Sequence, residues 1–344
     1  MSIMLNEFLD APNVMRGVIN KNKKVIAEIA EEFRSRGITN ITTVARGTSD
    51  NAATYFKYIV EMIGKVIVSK FTPSITTVYG ATVNLENNML LAISQSGMST
   101  DTLMVAENAK KTGALTVAVT NDQNSPLAKA CDYHIYLAAG LEESVGATKT
   151  FLAQLTSMYI LANALAPQTA KMNISSLPPM IGAFLNDSKE DIKEFAEATK
   201  DINNFIILTR GQTQCVASEL SLKMMTTCYK LCRPFSTCDF MHGPISIVEE
   251  GTPIVFLAPR SEFTDEFISM ATRLSLLGAD IYSFTDIPEV ASMSKITCKM
   301  PSTRGTSAPF IYTMAIELFV VYMAQALGIN PDKPRNMKKI TITK

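Results

Sequence analysis

An α/β protein built from two tandem, doubly wound parallel sheets is the fold class that this sequence predicts, on three observations. Short apolar runs of strand length alternate with helical stretches, the pattern of a parallel sheet covered on both faces. The alternation breaks at Pro178-Pro179 and then restarts. The two halves also repeat at a fixed spacing: Asn40/Asn204, Arg46/Arg210, Gly47/Gly211, Thr100/Thr264 and Asp101/Asp265 lie 164 residues apart, and Gly113/Gly278 lie 165 apart. These matches fall at equivalent strand ends and helix starts, which marks a duplicated domain. A length of 344 residues fits two domains of ordinary size, placed at 1–180 with the N-terminal helices and at 181–344 with the C-terminal tail.

Two amphipathic helices open the chain, over 6–19 with an interruption at Pro12 and over 24–35 ending before Gly37. Strands follow at 41–45, 89–93, 115–120 and 134–138, with helices at 51–63, 101–111 and 148–165. A helical connector over 178–193 leads to the second half, with strands at 205–209, 254–258, 280–284 and 295–299 and helices at 216–230, 265–277 and 308–327.

Composition excludes several functions. Lys and Arg total 32, Asp and Glu total 32, and no net field draws nucleic acid or an acidic membrane, so an anionic ligand must be met locally. The stretch 151–167 carries Gln154, Thr156 and Ser157 and is shorter than a bilayer demands, while 308–327 carries Glu317 at its centre and Gln325 near its end. Both are expected to be buried helices. Six cysteines without disulfide spacing read as small apolar filler in a reduced, cytoplasmic protein, and Cys228 and Cys232 as helix packing. With only two histidines, neither a metal site nor a cofactor is expected.

In an open parallel sheet, ligands gather beyond the carboxyl ends of the strands. That rule selects Arg46-Gly47-Thr48-Ser49 and the run Ser94-Gln95-Ser96-Gly97-Met98-Ser99-Thr100-Asp101-Thr102. The second run places five hydroxyls in nine residues, around a glycine and directly before a helix. Backbone amides at a helix start, joined by hydroxyl donors, suit a phosphate dianion. Helix capping needs one hydroxyl, and the duplicate turn at 258–266, Ala-Pro-Arg-Ser-Glu-Phe-Thr-Asp-Glu, has two and a proline in place of Gln95. Phosphate binding is therefore assigned to the first half and expected to be lost from the second.

His242, in Met241-His242-Gly243-Pro244, is a loop imidazole suited to proton transfer near neutral pH, whereas His134 alternates within a strand and reads as structural. Glu219, Lys223 and Thr226 share one helical face; spacing leaves a surface ion pair and a catalytic pair equally open.

Together these residues resemble the tandem sugar-isomerase (SIS) family and are similar to the isomerase half of glucosamine-6-phosphate synthase. The resemblance runs from about Glu7 to the end. It is sharpest at Ala45 to Ser49, at Ile93 to Gly97, at Glu142 with Val145 to Phe151, at His242-Gly243-Pro244, and at Asp332 to Lys339. It implies two flavodoxin-like domains and a phosphosugar site formed by Gly47, Thr48, Ser49, Ser94, Gln95, Ser96, Ser99, Thr102 and Val145. It also implies that Lys339 forms an imine with the open-chain sugar, that His242 assists ring opening in a partner subunit's site within a homodimer, and that Glu219 and Lys223 lie on the catalytic helix.

Two departures from the family shape the expected activity. The family's proton-shuttling glutamate falls at Thr226, whose hydroxyl is too weak a base for a C1 or C2 proton, which makes Glu219 the first substitute. The chain opens at Met1-Ser2 without a glutamine-hydrolysing domain, so glutamine is not expected as the nitrogen source. The expected substrate is a 6-phosphorylated amino sugar or sugar–amine adduct, turned over by deglycation, deamination or isomerisation. The reading from another class is a phosphosugar sensor without turnover.

Overall fold

The computed structural model describes residues 2–167, 173–303, 305–337 and 339. Lys338, in the tail motif above, lies outside the described residues. Five parallel strands, β1 (Asn40–Val44), β2 (Ile67–Lys70), β3 (Asn88–Ile93), β4 (Leu115–Thr120) and β5 (Tyr133–Tyr136), form one sheet in the order β2-β1-β3-β4-β5. A second parallel sheet, of β6 (Asn204–Thr209), β7 (Leu231–Ser236), β8 (Pro253–Ala258), β9 (Asp280–Thr285) and β10 (Ile296–Lys299), has the order β10-β9-β8-β6-β7. Read from its other end, the second order is the first with every strand advanced by five. The repeat seen in the sequence is thus a repeat of topology, with β1 starting at Asn40 and β6 at Asn204.

The chain divides into two compact units. One holds Asp10–Glu143, Ala147–Pro178 and Lys339; the other holds the opening helix Ile3–Leu9, Ser144–Gly146 and Pro179–Met337. In the β1–β5 unit, Val44, Leu90, Ala92 and Ala118 pack under Val105, Ala106 and Ala109 of the helix Thr100–Lys111. Every residue of β4 is buried, as its unbroken apolar and Thr run requires in a central parallel strand. In the β6–β10 unit, Phe195 sits 4.6 Å from Phe284 and 5.5 Å from Phe319 between ring centroids. The opening helix is capped within that unit by Asp332, whose carboxylate accepts from Ile3 N at 2.9 Å and Met4 N at 2.8 Å.

Two strands lacked a sequence signal, β2 and β7, and each is the edge strand beside the first strand of its sheet. Ile67-Val68-Ser69-Lys70 buries only Val68, and Leu231–Ser236 carries Arg233 and Pro234, which an edge tolerates and a central strand does not. The predicted connector is two helices, Leu177–Asp187 and Lys189–Thr199, and the helix after β1 starts earlier than expected, at Gly47, and passes into a π turn at Val60–Gly64.

Both apolar helices are buried. In Lys149–Leu165, Thr156 and Ser157 donate to the carbonyls of Leu152 and Ala153, which satisfies their hydroxyls without water. Gly305–Ala326 is long and apolar enough to cross a membrane, yet 89% of its most apolar window lies inside the fold. Five of the six cysteines are buried and all six are free. Burial pushes the thiols of Cys131, Cys228, Cys232 and Cys298 up to about 12, so they serve as inert filler.

Candidate functional site

After β1 the chain crosses to β2 on one side, and after β3 it crosses to β4 on the other, so the carboxyl ends of β1 and β3 border a switch-point crevice. The Arg46 to Ser49 and Ser94 to Thr102 segments stand at these ends. Arg46 Nε donates to Asp101 Oδ2 at 2.8 Å, joining the two, and Asp101 Oδ1 accepts from Thr102 N at 2.8 Å. Asp101 is buried and so compensated, which lowers its repulsion of an incoming anion.

The hydroxyls of the second segment do not act as simple helix caps. Ser99 is the residue preceding the helix Thr100–Lys111, yet its side chain makes no capping bond and pairs instead with Ser94 Oγ at 3.2 Å. Ser94 Oγ accepts from Gly97 N and Ser96 Oγ from Met98 N, each at 3.2 Å. A hydroxyl that accepts from the backbone keeps its own proton to donate, so the folded turn retains donors for a phosphate. Gly97 is required by the turn: its φ is +65°, and an added Cβ would lie 2.2 Å from Ser125 Oγ. Gly97→Ala is expected to cost about 2–4 kcal/mol in urea unfolding, by overpacking and left-handed strain together.

The duplicate crevice, between β6 and β8, carries different chemistry. Glu266 stands 164 residues after Thr102, a carboxylate in place of a hydroxyl. It accepts from the Thr237 hydroxyl and lies 3.5 Å from Arg210 Nε, while Arg210 in turn lies over the Phe263 ring at 5.4 Å. Phe263 also crowds the turn, with its Cε2 only 2.7 Å from where a Gly211 Cβ would be. Arg46 and Arg210 are equivalent, but Arg46 pairs with Asp101 and Arg210 with Glu266 rather than with the equivalent Asp265.

Two further groupings arise where the sequence gave separate motifs. Within the β1–β5 unit, Lys339 Nζ donates to Glu142 Oε2 at 2.8 Å. The other carboxylate oxygen accepts from Thr148 N, Thr148 Oγ1 and Thr150 Oγ1 at 2.8 Å and from Thr150 N at 3.0 Å. Burial raises the Glu142 pKa, but the Lys339 ammonium and these donors outweigh it, holding the carboxyl below its ordinary 4.5. A depressed folded-state value stabilises the fold above the unfolded value and is lost as pH falls through the folded one. The stability gap between wild type and Glu142→Gln should therefore shrink as pH is lowered from about 4.5, measured by thermal unfolding across pH. Nearby in the chain, Gln154 Nε2 donates to the buried Ser49 Oγ at 2.9 Å.

In the β6–β10 unit, Lys223 Nζ lies 3.7 Å from Glu219 Oε1 and 3.9 Å from Glu317 Oε2, with both carboxylate side chains fully buried. This excludes a surface ion pair. A Cβ on Gly146 would come within 3.5 Å of the same ammonium, so the glycine beside Val145 borders the cluster. Thr226 donates to Leu222 O at 2.9 Å, its hydroxyl turned back onto its own helix. His242 is exposed and lines a hollow with Arg210 and Glu266, whose lining includes neither Glu219 nor Glu317. His134 Nε2 bonds Thr120 Oγ1 at 2.8 Å, a satisfied strand histidine. Among the described residues no group of His, Cys, Asp and Glu is arranged to hold a metal.

Sequence reasoning missed Glu142 and Glu317 as partners of the two lysines. Glu142 was legible as part of the 142–151 motif; Glu317 only as an acid out of place in an apolar helix.

A duplicated parallel-sheet protein with one hydroxyl-lined and one carboxylate-bearing switch point is the class that this geometry defines. The chain belongs to the SIS domain family, which matches residues 36–164 and 200–327. Glutamine--fructose-6-phosphate aminotransferase [isomerizing] of Thermococcus kodakarensis is 30% identical over 98% of this chain and 57% of its own length, so the chain spans little more than half of the curated relatives it matches. A candidate phosphosugar isomerase from Silicibacter pomeroyi superposes with a TM-score of 0.81 at 28% identity, covering 96% of this chain and 100% of that one. The C-terminal domain of glucosamine-fructose-6-phosphate aminotransferase from Francisella tularensis shares the fold, with a TM-score of 0.84 at 24% identity over 97% and 98% of the two chains.

Proposed function

We propose that the protein acts on an amine-bearing hexose 6-phosphate, an amino sugar or a sugar–amine adduct, held by its phosphate at Gly47, Thr48, Ser49, Ser94, Gln95, Ser96, Ser99 and Thr102. The observation that carries this is the asymmetry of the two crevices: the same backbone turn presents hydroxyls in one unit and Glu266 with Phe263 in the other. The first offers a dianion hydroxyl donors, and in the second Glu266 and Phe263 stand in place of such donors. What the named relatives act on agrees with this reading.

Lys339 supplies the amine for an imine with the open-chain sugar, and Glu142 aims it. Glu219, with Lys223, takes the proton-transfer role that Thr226 cannot fill, and His242 opens the ring, reaching the site of a neighbouring subunit in a homodimer. Removal of the amine, by deglycation or deamination, is the favoured reaction. Free, buried thiols fit a reducing, cytoplasmic setting.

A non-catalytic sensor is the second reading, supported by the back-bonded Thr226 hydroxyl. Incubation with glucosamine 6-phosphate, fructoselysine 6-phosphate and glucoselysine 6-phosphate, followed by assay of ammonia, free amine and hexose phosphate, separates them. Thermal stabilisation without product favours the sensor. Ser96→Ala should weaken binding of phosphorylated sugars by about tenfold, the loss of one charge-assisted hydrogen bond, and leave unphosphorylated sugars unaffected.

A further inference from the structure

None of the residues proposed to hold the phosphate carries a charge; the formal charges within the two segments' ion pair are those of Arg46 and Asp101. Asp101 is spent inside the fold, with one oxygen on Arg46 Nε and the other on Thr102 N, and its side chain is only 2% exposed. Arg46 is 51% exposed. Its side chain leaves the extended residue before the helix Gly47–Ile59 and ends on the first turn of the helix Thr100–Lys111, so it lies across the crevice between the ends of β1 and β3. Among the described residues, Nε is the only guanidinium nitrogen of Arg46 with a partner, which leaves the terminal amino groups as donors. Other cations of this unit are committed elsewhere, Lys70 at the end of β2 to Asp50 and Lys339 to Glu142.

The duplicate turn shows the same arginine put to structural use. Arg210 lies 3.5 Å from Glu266, sits under the Phe263 ring at 5.4 Å and is 30% exposed. Phe263 stands 164 residues after Ser99, so the position that covers the arginine in one unit holds a small hydroxyl in the other. Among the described residues no ring lies over Arg46. A guanidinium bonds a carboxylate along one edge and a phosphate along another, with a directionality that an ammonium lacks. We propose that Arg46 is a specificity-determining residue of the anion site: its terminal amino groups bind the phosphate oxygens while Nε stays on Asp101, and its charge makes the site select a dianionic phosphate ester over a monoanionic ester of the same sugar. This rests on the reading, given under Proposed function, that these segments hold the phosphate.

The test measures binding of glucosamine 6-phosphate and glucosamine 6-sulfate to the intact protein by calorimetry at about pH 7.5, where the phosphate ester carries close to two negative charges and the sulfate ester one. Arg46→Gln should weaken phosphate binding by about ten- to a hundredfold, the loss of a charge-assisted contact, and sulfate binding by only about threefold. Asp101→Asn keeps an acceptor for Thr102 N and removes a like charge from beside the anion, so phosphate binding should hold or tighten. Opposite effects from the two halves of one ion pair separate direct contact from a tie between loops. Arg46→Lys should keep the preference for phosphate over sulfate, and it decides the matter if thermal unfolding shows Asp101→Asn to be misfolded. Equal weakening by Arg46→Gln and Asp101→Asn, an equal loss of both esters in Arg46→Gln, or loss of the preference in a folded Arg46→Lys protein overturns the inference. Unchanged phosphate binding in Arg46→Gln, with Ser96→Ala still weakened, overturns it and leaves the phosphate reading intact. If neither ester binds the wild type, the parent reading fails and this one with it.

Discussion

Lys339→Arg should lower turnover of any amine-bearing hexose 6-phosphate by roughly 10³-fold or more while Kd for the sugar phosphate changes little, on the scale of losing a covalent nucleophile. The substitution is chosen for what it preserves. A guanidinium still reaches a carboxylate such as Glu142, so the ion pair that fixes the tail residue survives, but it stays protonated at neutral pH and forms no imine. Electrostatic anchoring and nucleophilic chemistry are thereby separated. A Lys339→Arg protein that still releases amine at the wild-type rate would remove Lys339 from the chemistry and leave it as an anchor for Glu142. Borohydride reduction in the presence of substrate gives an independent reading, with a covalent sugar adduct expected on the wild type and none on the variant.

Lys223→Met should destabilise the protein by about 3–5 kcal/mol in urea unfolding, the cost of stripping a buried charge cluster of one partner. The lysine and both of its carboxylate neighbours are shut away from water, so solvent cannot compensate for its removal. Adding Glu317→Gln to Lys223→Met should recover a large part of the loss, because one buried carboxylate is then neutral; the double-mutant cycle measures that coupling. A loss below about 1 kcal/mol for Lys223→Met would show the three groups to be independent. Turnover of the double variant adds a functional readout: recovered stability without recovered activity assigns Lys223 to proton transfer through Glu219.

The candidate phosphate loop was legible in the sequence because its chemistry is local. Five hydroxyls around Gly97 before a helix mark a candidate anion site from local sequence alone, and the duplicated turn supplied an internal comparison. The edge strands β2 and β7 were illegible for a related reason. Their exposed face releases them from the apolar pattern that identifies a strand, and Pro234 contradicts it outright.

Sequence by itself determined the class of fold, the duplication, the burial of both long apolar helices and the segments proposed to meet an anion, since these follow from periodicity, composition and short-range turn chemistry. Only the tertiary structure decided which charges meet. Lys339 finds Glu142 across 197 residues, and Lys223 finds Glu317 on a helix that sequence reading treats as packing. Spacing along a chain constrains neighbours on one helix face, as with Glu219 and Lys223, but a buried ion pair between distant elements depends on how those elements pack. The same packing turned Glu266 and Phe263 into the second crevice, so that two copies of one turn carry different side chains and pair their arginines with different carboxylates.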